Sequence, residues 1–205
     1  MGQPAHGQSI ARTVVNRIAV TRGLTPPWPG ADAPLPDWLE SADVATWGVV
    51  ELGEMRQRLL DPRQRQAHGV VYTPPEVVNW QVPTALDKAN LDRVAHHRRP
   101  LEHIHIHDPF CGPGIFLLVA AWYVARWYAP DDPQAALPEV FAECIYGTDL
   151  DEVAIDLAKS ACWLEINGGR PITFMDRNIA VGDTFADELP AQLAERWPIK
   201  PPTAA

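Results

Sequence analysis

Seven consecutive residues near the middle of the chain, Asp108-Pro109-Phe110-Cys111-Gly112-Pro113-Gly114, combine an acid with two closely spaced glycines. They stand between a strand-like run, residues 101–107, and a strongly apolar helix-like run, residues 115–128. A strand that ends in an acid and passes through Gly-x-Gly into a helix lets backbone approach a ligand closely. It also leaves free N–H groups at the helix start. This is the chemistry of a ligand-binding turn. The pattern is shorter than the dinucleotide fingerprint Gly-x-Gly-x-x-Gly, whose last position here is Leu117.

A second group with chemical potential is the alternation His103-Ile104-His105-Ile106-His107. In a strand its three histidines share one face. Three ligands from one flat strand diverge from a single ion, and no further His or Cys follows at zinc spacing. The reading therefore favours histidines that hydrogen-bond beneath a packed helix over a metal triad. The cysteines Cys111, Cys144 and Cys162 form no Cys-x-x-Cys pair, so neither a disulfide framework nor a zinc knuckle is implied, and a reducing, cytoplasmic setting fits.

The surrounding elements must position the turn. Ile10, Val14 and Ile18 recur at helical spacing beside Arg12, Arg17 and Arg22, giving an amphipathic helix before a Pro-rich stretch at 25–36. A packing arm is favoured over a DNA-contacting arm, with Trp28 and Trp38 fastening it to the body. One or two helices follow over 37–60, then a basic patch, Arg56, Arg58, Arg63 and Arg65. Thr73 is placed as an N-cap with Glu76 in capping-box position, and Pro83 should kink or restart the helix that follows. After the Gly turn, Phe116, Leu117, Ala120, Ala121 and Val124 give a helix with a broad buried face.

The stretch 130–138 reads as a loop and 140–146 as the next strand, ending Gly147-Thr148-Asp149-Leu150-Asp151. An acid at a second strand's end suits ribose, because a carboxylate can accept from both the 2′ and 3′ hydroxyls; Asp149 is the candidate. Asp151 caps a helix over about 152–164, stopped by Asn167-Gly168-Gly169. The third strand is either 172–174 or 178–181, the latter ending Gly182-Asp183-Thr184-Phe185. Alternating strands and helices with ligand groups at strand ends imply an α/β fold with a parallel, doubly wound sheet.

With 205 residues, of which 46% are hydrophobic, the chain can bury a real core, and no run is long enough to span a membrane. The net charge of −9 is uneven: residues 1–107 carry 11 basic and 11 acidic side chains, residues 108–205 carry 6 and 15. That is the reverse of a nucleic-acid footprint in the second half, where a cationic small ligand would be at ease.

The ordered set Tyr72-Thr73-Pro74-Pro75-Glu76, Asp108 to Leu117, Gly147-Thr148-Asp149-Leu150-Asp151 and Gly182-Asp183-Thr184-Phe185 resembles the amino-terminal half of adenine-specific DNA methyltransferases. The likeness is to the TaqI-type and type IIG branch, in which the Thr-Pro-Pro segment precedes the Gly turn. It covers about residues 50–187. The resemblance implies a Rossmann-like class I methyltransferase fold with an incomplete parallel sheet, preceded by a helical amino-terminal segment. It divides the chain into a helical arm with a Pro-rich linker (1–66), a partial S-adenosylmethionine-binding domain (67–187) and a Pro-rich tail (188–205).

By that resemblance the cofactor is S-adenosylmethionine. Tyr72, Thr73, Pro74 and Asp108 would face its methionine part, while Phe110, Gly112 and Gly114 belong to the turn that lets backbone pass it. Asp149 would hold the ribose, and Asp183 with Phe185 the adenine. The family's catalytic Asn-Pro-Pro-Tyr or Asp-Pro-Pro-Tyr motif has no counterpart, since Lys200-Pro201-Pro202-Thr203 offers neither an acceptor for the amine nor an aromatic face. No catalytic or metal-ligating residue is therefore assigned. The expected function is the cofactor-binding part of a restriction-modification DNA adenine methyltransferase. DNA would be reached through a missing or separate recognition domain, and the chain is either a fragment or one piece of a split enzyme, in which case a complementing polypeptide would carry the catalytic half. The alternatives are an inactive binding or regulatory module that partners a methylase or nuclease, and an NAD-using enzyme.

Overall fold

The structure, a computed structural model, describes residues 3–61 and 73–183. Tyr72 and Phe185, the basic residues Arg63 and Arg65, and the Pro-rich tail lie outside the described residues. The elements in chain order are helices α1 (Gln3–Thr21), α2 (Asp37–Glu40), α3 (Val49–Leu59), α4 (Pro75–Ala85) and α5 (Lys88–Val94), then strand β1 (Ile106–Asp108). Helices α6 (Ile115–Tyr128) and α7 (Pro133–Glu143) lead to β2 (Ile145–Asp149), and α8 (Glu152–Glu165) leads to β3 (Ile179–Val181).

The fold is mixed α/β. Its three strands form a parallel sheet in the order β1-β2-β3, with Ile106 opposite Ile145 and Gly147 opposite Ile179. Because strands and helices alternate and all strands run the same way, the carboxyl ends of β1, β2 and β3 emerge side by side. β2 is the most buried of the three, with Ile145, Tyr146 and Thr148 almost wholly enclosed.

α8 is the hub of the helical packing. It is buried on nearly every side, from Val153 to Leu164, because α1 and α3 cover the faces that the sheet and α6 leave open. Ile10, Val14, Val15 and Ile18 of α1 join the same core as Leu117, Leu157 and Ile179. The arginines of α1 serve this packing. Arg12 pairs with Asp156, Arg17 donates to the carbonyls of Leu39 and Ala42, and Arg22 donates to those of Ala45 and Trp47. Trp28 donates through Nε1 to the buried Ser160 hydroxyl, and Trp38 lies beneath the Arg58 guanidinium.

Several local expectations need correcting. Residues 101–107 are not one strand: Pro100–His103 is a 3-10 turn, and only Ile106–Asp108 pairs with β2. His103 and His107 therefore do not share a strand face; His103 stacks on His97 instead, with ring centroids 4.0 Å apart. The expected loop at 130–138 and the strand from 140 are helix α7 followed by a shorter β2. Asp132 accepts from the Ala135 N–H and Pro133 occupies the first turn, which is how a helix begins. Buried Leu137, Val140 and Phe141 outweigh the internal Pro138. Thr73 does not cap α4, whose N-cap is Pro74. Of the two candidates for the third strand, 178–181 is the one used, and Ile172–Met175 is a 3-10 turn. Asn178, buried at its start, donates to the carbonyls of Phe141, Ala142 and Ile145 and so clamps β3 to the end of α7.

Candidate ligand site at the carboxyl ends of the strands

The turn after β1 is held by its own polar groups. Asp108 Oδ1 accepts from the Phe110 N–H at 3.0 Å, the short loop closure typical of an aspartate at a turn. Cys111 N–H donates to the Thr148 carbonyl and Gly114 N–H to the Cys111 carbonyl, both at 2.9 Å. The turn thus lies directly on β2. Gly147 makes that approach possible, since a Cβ there would come within 2.8 Å of Leu117 Cδ1 and 3.0 Å of Cys111 Sγ.

The two glycines of the turn have different tasks. Both adopt positive φ, 50° at Gly112 and 95° at Gly114. A Cβ on Gly114 would sit 3.1 Å from Cα and Cβ of Ala158, so this glycine lets the start of α6 pack against α8. Among the described residues, a Cβ on Gly112 would meet nothing within 4 Å. Of the two, only Gly112 has space beside it, among the described residues, of the kind a ligand could occupy.

Asp149, at the end of β2, is joined to that turn. Its Oδ2 accepts from the Gly112 N–H and its Oδ1 from the Asp151 N–H, each at 2.9 Å. A carboxylate offers about four lone-pair sites, so each oxygen retains capacity for a hydroxyl donor. The Gly182 N–H donates to the Asp149 carbonyl at 3.0 Å and brings the exposed Asp183 to the neighbouring strand end. Asp108, Phe110, Gly112, Gly114, Asp149 and Asp183 are therefore gathered along one edge of the sheet. Thr73 and Pro74 immediately precede α4, which packs on α6, and among the described residues no hydrogen bond ties them to the Gly turn.

Burial holds the Asp108 carboxyl above its ordinary range; the nearby Asp149 charge adds to this, and the Phe110 N–H opposes it. Burial also lowers the His107 pKa, and its Nε2 lies 3.0 Å from the Thr148 hydroxyl. The Cys111 thiol is pushed far up, by burial first and then by Asp108 and Asp149, so it stays protonated beneath the turn. Beside β1, a cavity of ≈ 240 Å³ runs between the second half of α4 and α6, with His107 and Asp108 among its lining residues.

The strand ends also carry apolar groups that sequence reasoning overlooked. Leu150 and Val181 are 67% and 43% exposed, and Phe110 is 60% exposed. Their signal was positional: Leu150 directly follows an acid that ends a strand, and Val181 is the last residue of one. Acids and exposed apolar side chains near the same strand ends could serve a small cationic ligand with a flat ring. Among the described residues, no group of three His, Cys, Asp or Glu is arranged to hold a metal ion, and no helix is long and apolar enough to cross a membrane. Comparison with protein-family models, curated proteins and solved structures returns no match to this chain.

Proposed function

We propose that this chain is the S-adenosylmethionine-binding part of a DNA adenine methyltransferase of the restriction-modification type, with a Rossmann-like sheet. The observation that carries the reading is the hydrogen bond from Gly112 N–H to Asp149, made beside open space at adjacent strand ends. It supports a ligand whose hydroxyls reach Asp149 while the rest passes over Gly112. The sulfonium charge would lie toward Asp108, and the adenine would lie toward Asp183 and the exposed side chains of Leu150 and Val181. Acidic side chains at all three strand ends favour a cation over the pyrophosphate of a dinucleotide.

S-adenosylmethionine would supply the methyl group. This chain's residues would bind and orient it, and the target amine would be held by groups outside residues 1–205, with DNA reached through a missing or separate recognition domain. Calorimetric titration of the purified chain with S-adenosylmethionine, with NAD as control, tests the proposal. Selective binding of S-adenosylmethionine is expected, with no methyl transfer to duplex DNA by this chain alone. Preferential binding of NAD would overturn the reading. No binding by a folded sample would favour an interaction module that partners a methylase or nuclease.

A further inference from the structure

The acid at the end of β2 is held in place from the amino-terminal helices. Arg56, in the last turn of α3, donates to one oxygen of Asp151 through two nitrogens, Nε at 2.7 Å and Nη2 at 2.6 Å. The other oxygen, Asp151 Oδ1, accepts from the Val153 N–H at 3.0 Å and caps α8. The backbone N–H of the same residue donates to Asp149 Oδ1, and Asp149 Oδ2 accepts from Gly112. A continuous series of hydrogen bonds thus runs from α3, through Asp151 and Asp149, to the Gly turn.

The Arg56 and Asp151 side chains are only 11% and 18% exposed, which shields the pair from the screening that weakens surface ion pairs. An arginine is suited to the task. Its planar guanidinium can place two N–H groups on a single oxygen and leave the second oxygen to the helix cap, whereas a lysine offers one point charge on a flexible stem.

We infer that Arg56 is a positioning residue for the ligand carboxylate of Asp149, so that the helical segment before the sheet governs the cofactor pocket. This rests on the S-adenosylmethionine reading for the identity of the ligand, but the geometry it invokes exists without ligand. Neither the charge run around Arg56 nor the cap at Asp151 indicated the link, because the two are 95 positions apart in the chain.

Arg56→Gln, Arg56→Lys, Asp151→Asn and the Arg56→Gln/Asp151→Asn double variant test it by two readouts. Amide hydrogen exchange followed by NMR needs no ligand. In Arg56→Gln, the Asp151 and Gly112 amides should exchange faster while the interior amides of β2 remain protected. Titration with S-adenosylmethionine should show affinity reduced about ten-fold, the low end of what orienting partners contribute behind ligand-binding groups at metal sites. Arg56→Lys should recover part of the loss, and the double variant should bind no worse than the poorer single variant, since both act along one path. Exchange unchanged at both amides, exchange raised evenly across the sheet, or additive losses in the double variant would overturn the inference. Should Arg56→Gln fail to fold, Arg56→Lys, which keeps the charge, decides by the same amides. If the wild-type chain binds no S-adenosylmethionine, the cofactor reading falls, and the exchange comparison alone supports or overturns the positioning role.

Discussion

Replacing each glycine of the central turn by alanine should separate packing from ligand binding. At Gly112 the added methyl meets no atom of the described residues, so the cost is that of placing alanine at φ 50°, about 1 kcal/mol. At Gly114 a positive φ of 95° is combined with a methyl 3.1 Å from Ala158 Cα, and the neighbour is the backbone of a buried helix that cannot turn aside. Strain and overpacking of about 1–3 kcal/mol each sum to about 2–6 kcal/mol. For a chain of this size 1 kcal/mol shifts Tm by roughly 2–4 °C. Gly112→Ala should therefore melt only a few degrees early, and Gly114→Ala about 4–24 °C early. Urea denaturation with unchanged slope would measure both losses. The order should invert for ligand: Gly112→Ala, which fills the space beside Asp149, should lose most of its affinity for S-adenosylmethionine, while folded Gly114→Ala, assayed in the cold, should keep it. Equal stability losses, or wild-type binding by Gly112→Ala, would refute the division of labour.

Two further outcomes follow from the buried groups. Asp108 has a raised pKa in the folded chain, so the folded state holds its proton longer than the unfolded chain does. Its contribution to stability is present below the ordinary value of 3.8 and is lost as pH rises through the raised value. A bound cation favours the ionised form, so affinity for S-adenosylmethionine should increase over that window as pH rises; titration between about pH 4 and 7 should show this in the wild type and not in Asp108→Asn. Ile18→Ala in α1 empties a fully buried position and should cost about 2–5 kcal/mol in urea denaturation, whereas a loss below about 1 kcal/mol would mean that α1 is a dispensable arm.

The long helices were legible because their patterns are strong. Residues 115–128 and 152–165 carry continuous apolar faces, and Asn167 and Gly168, at φ 52° and 65°, end the second of them as their residue types suggest. The Gly turn between β1 and α6 was legible too, since an acid followed by Gly-x-Gly between a strand and a helix limits the conformations available. Helix α7 was not, because its prolines at 133 and 138, with Pro130 just before it, read locally as a loop, whereas the burial of Leu137, Val140 and Phe141 makes it a helix. The length of β1 was also hidden: the strand begins where β2 offers a partner, with Ile106 N–H donating to the Cys144 carbonyl.

Local chemistry along the chain determined that Asp108, Gly112, Asp149 and Asp183 would end or follow strands, because turn formers and apolar runs act over a few residues. Which glycine packs and which leaves space was decided only in three dimensions, where Ala158 of α8 meets one and no described residue meets the other. The same is true of Asp156 and Asp151, acids on a buried helix whose partners Arg12 and Arg56 come from the far end of the chain. Charges in a low-dielectric interior must be paired, but the pairing depends on which helices the core brings together, and no local pattern encodes that.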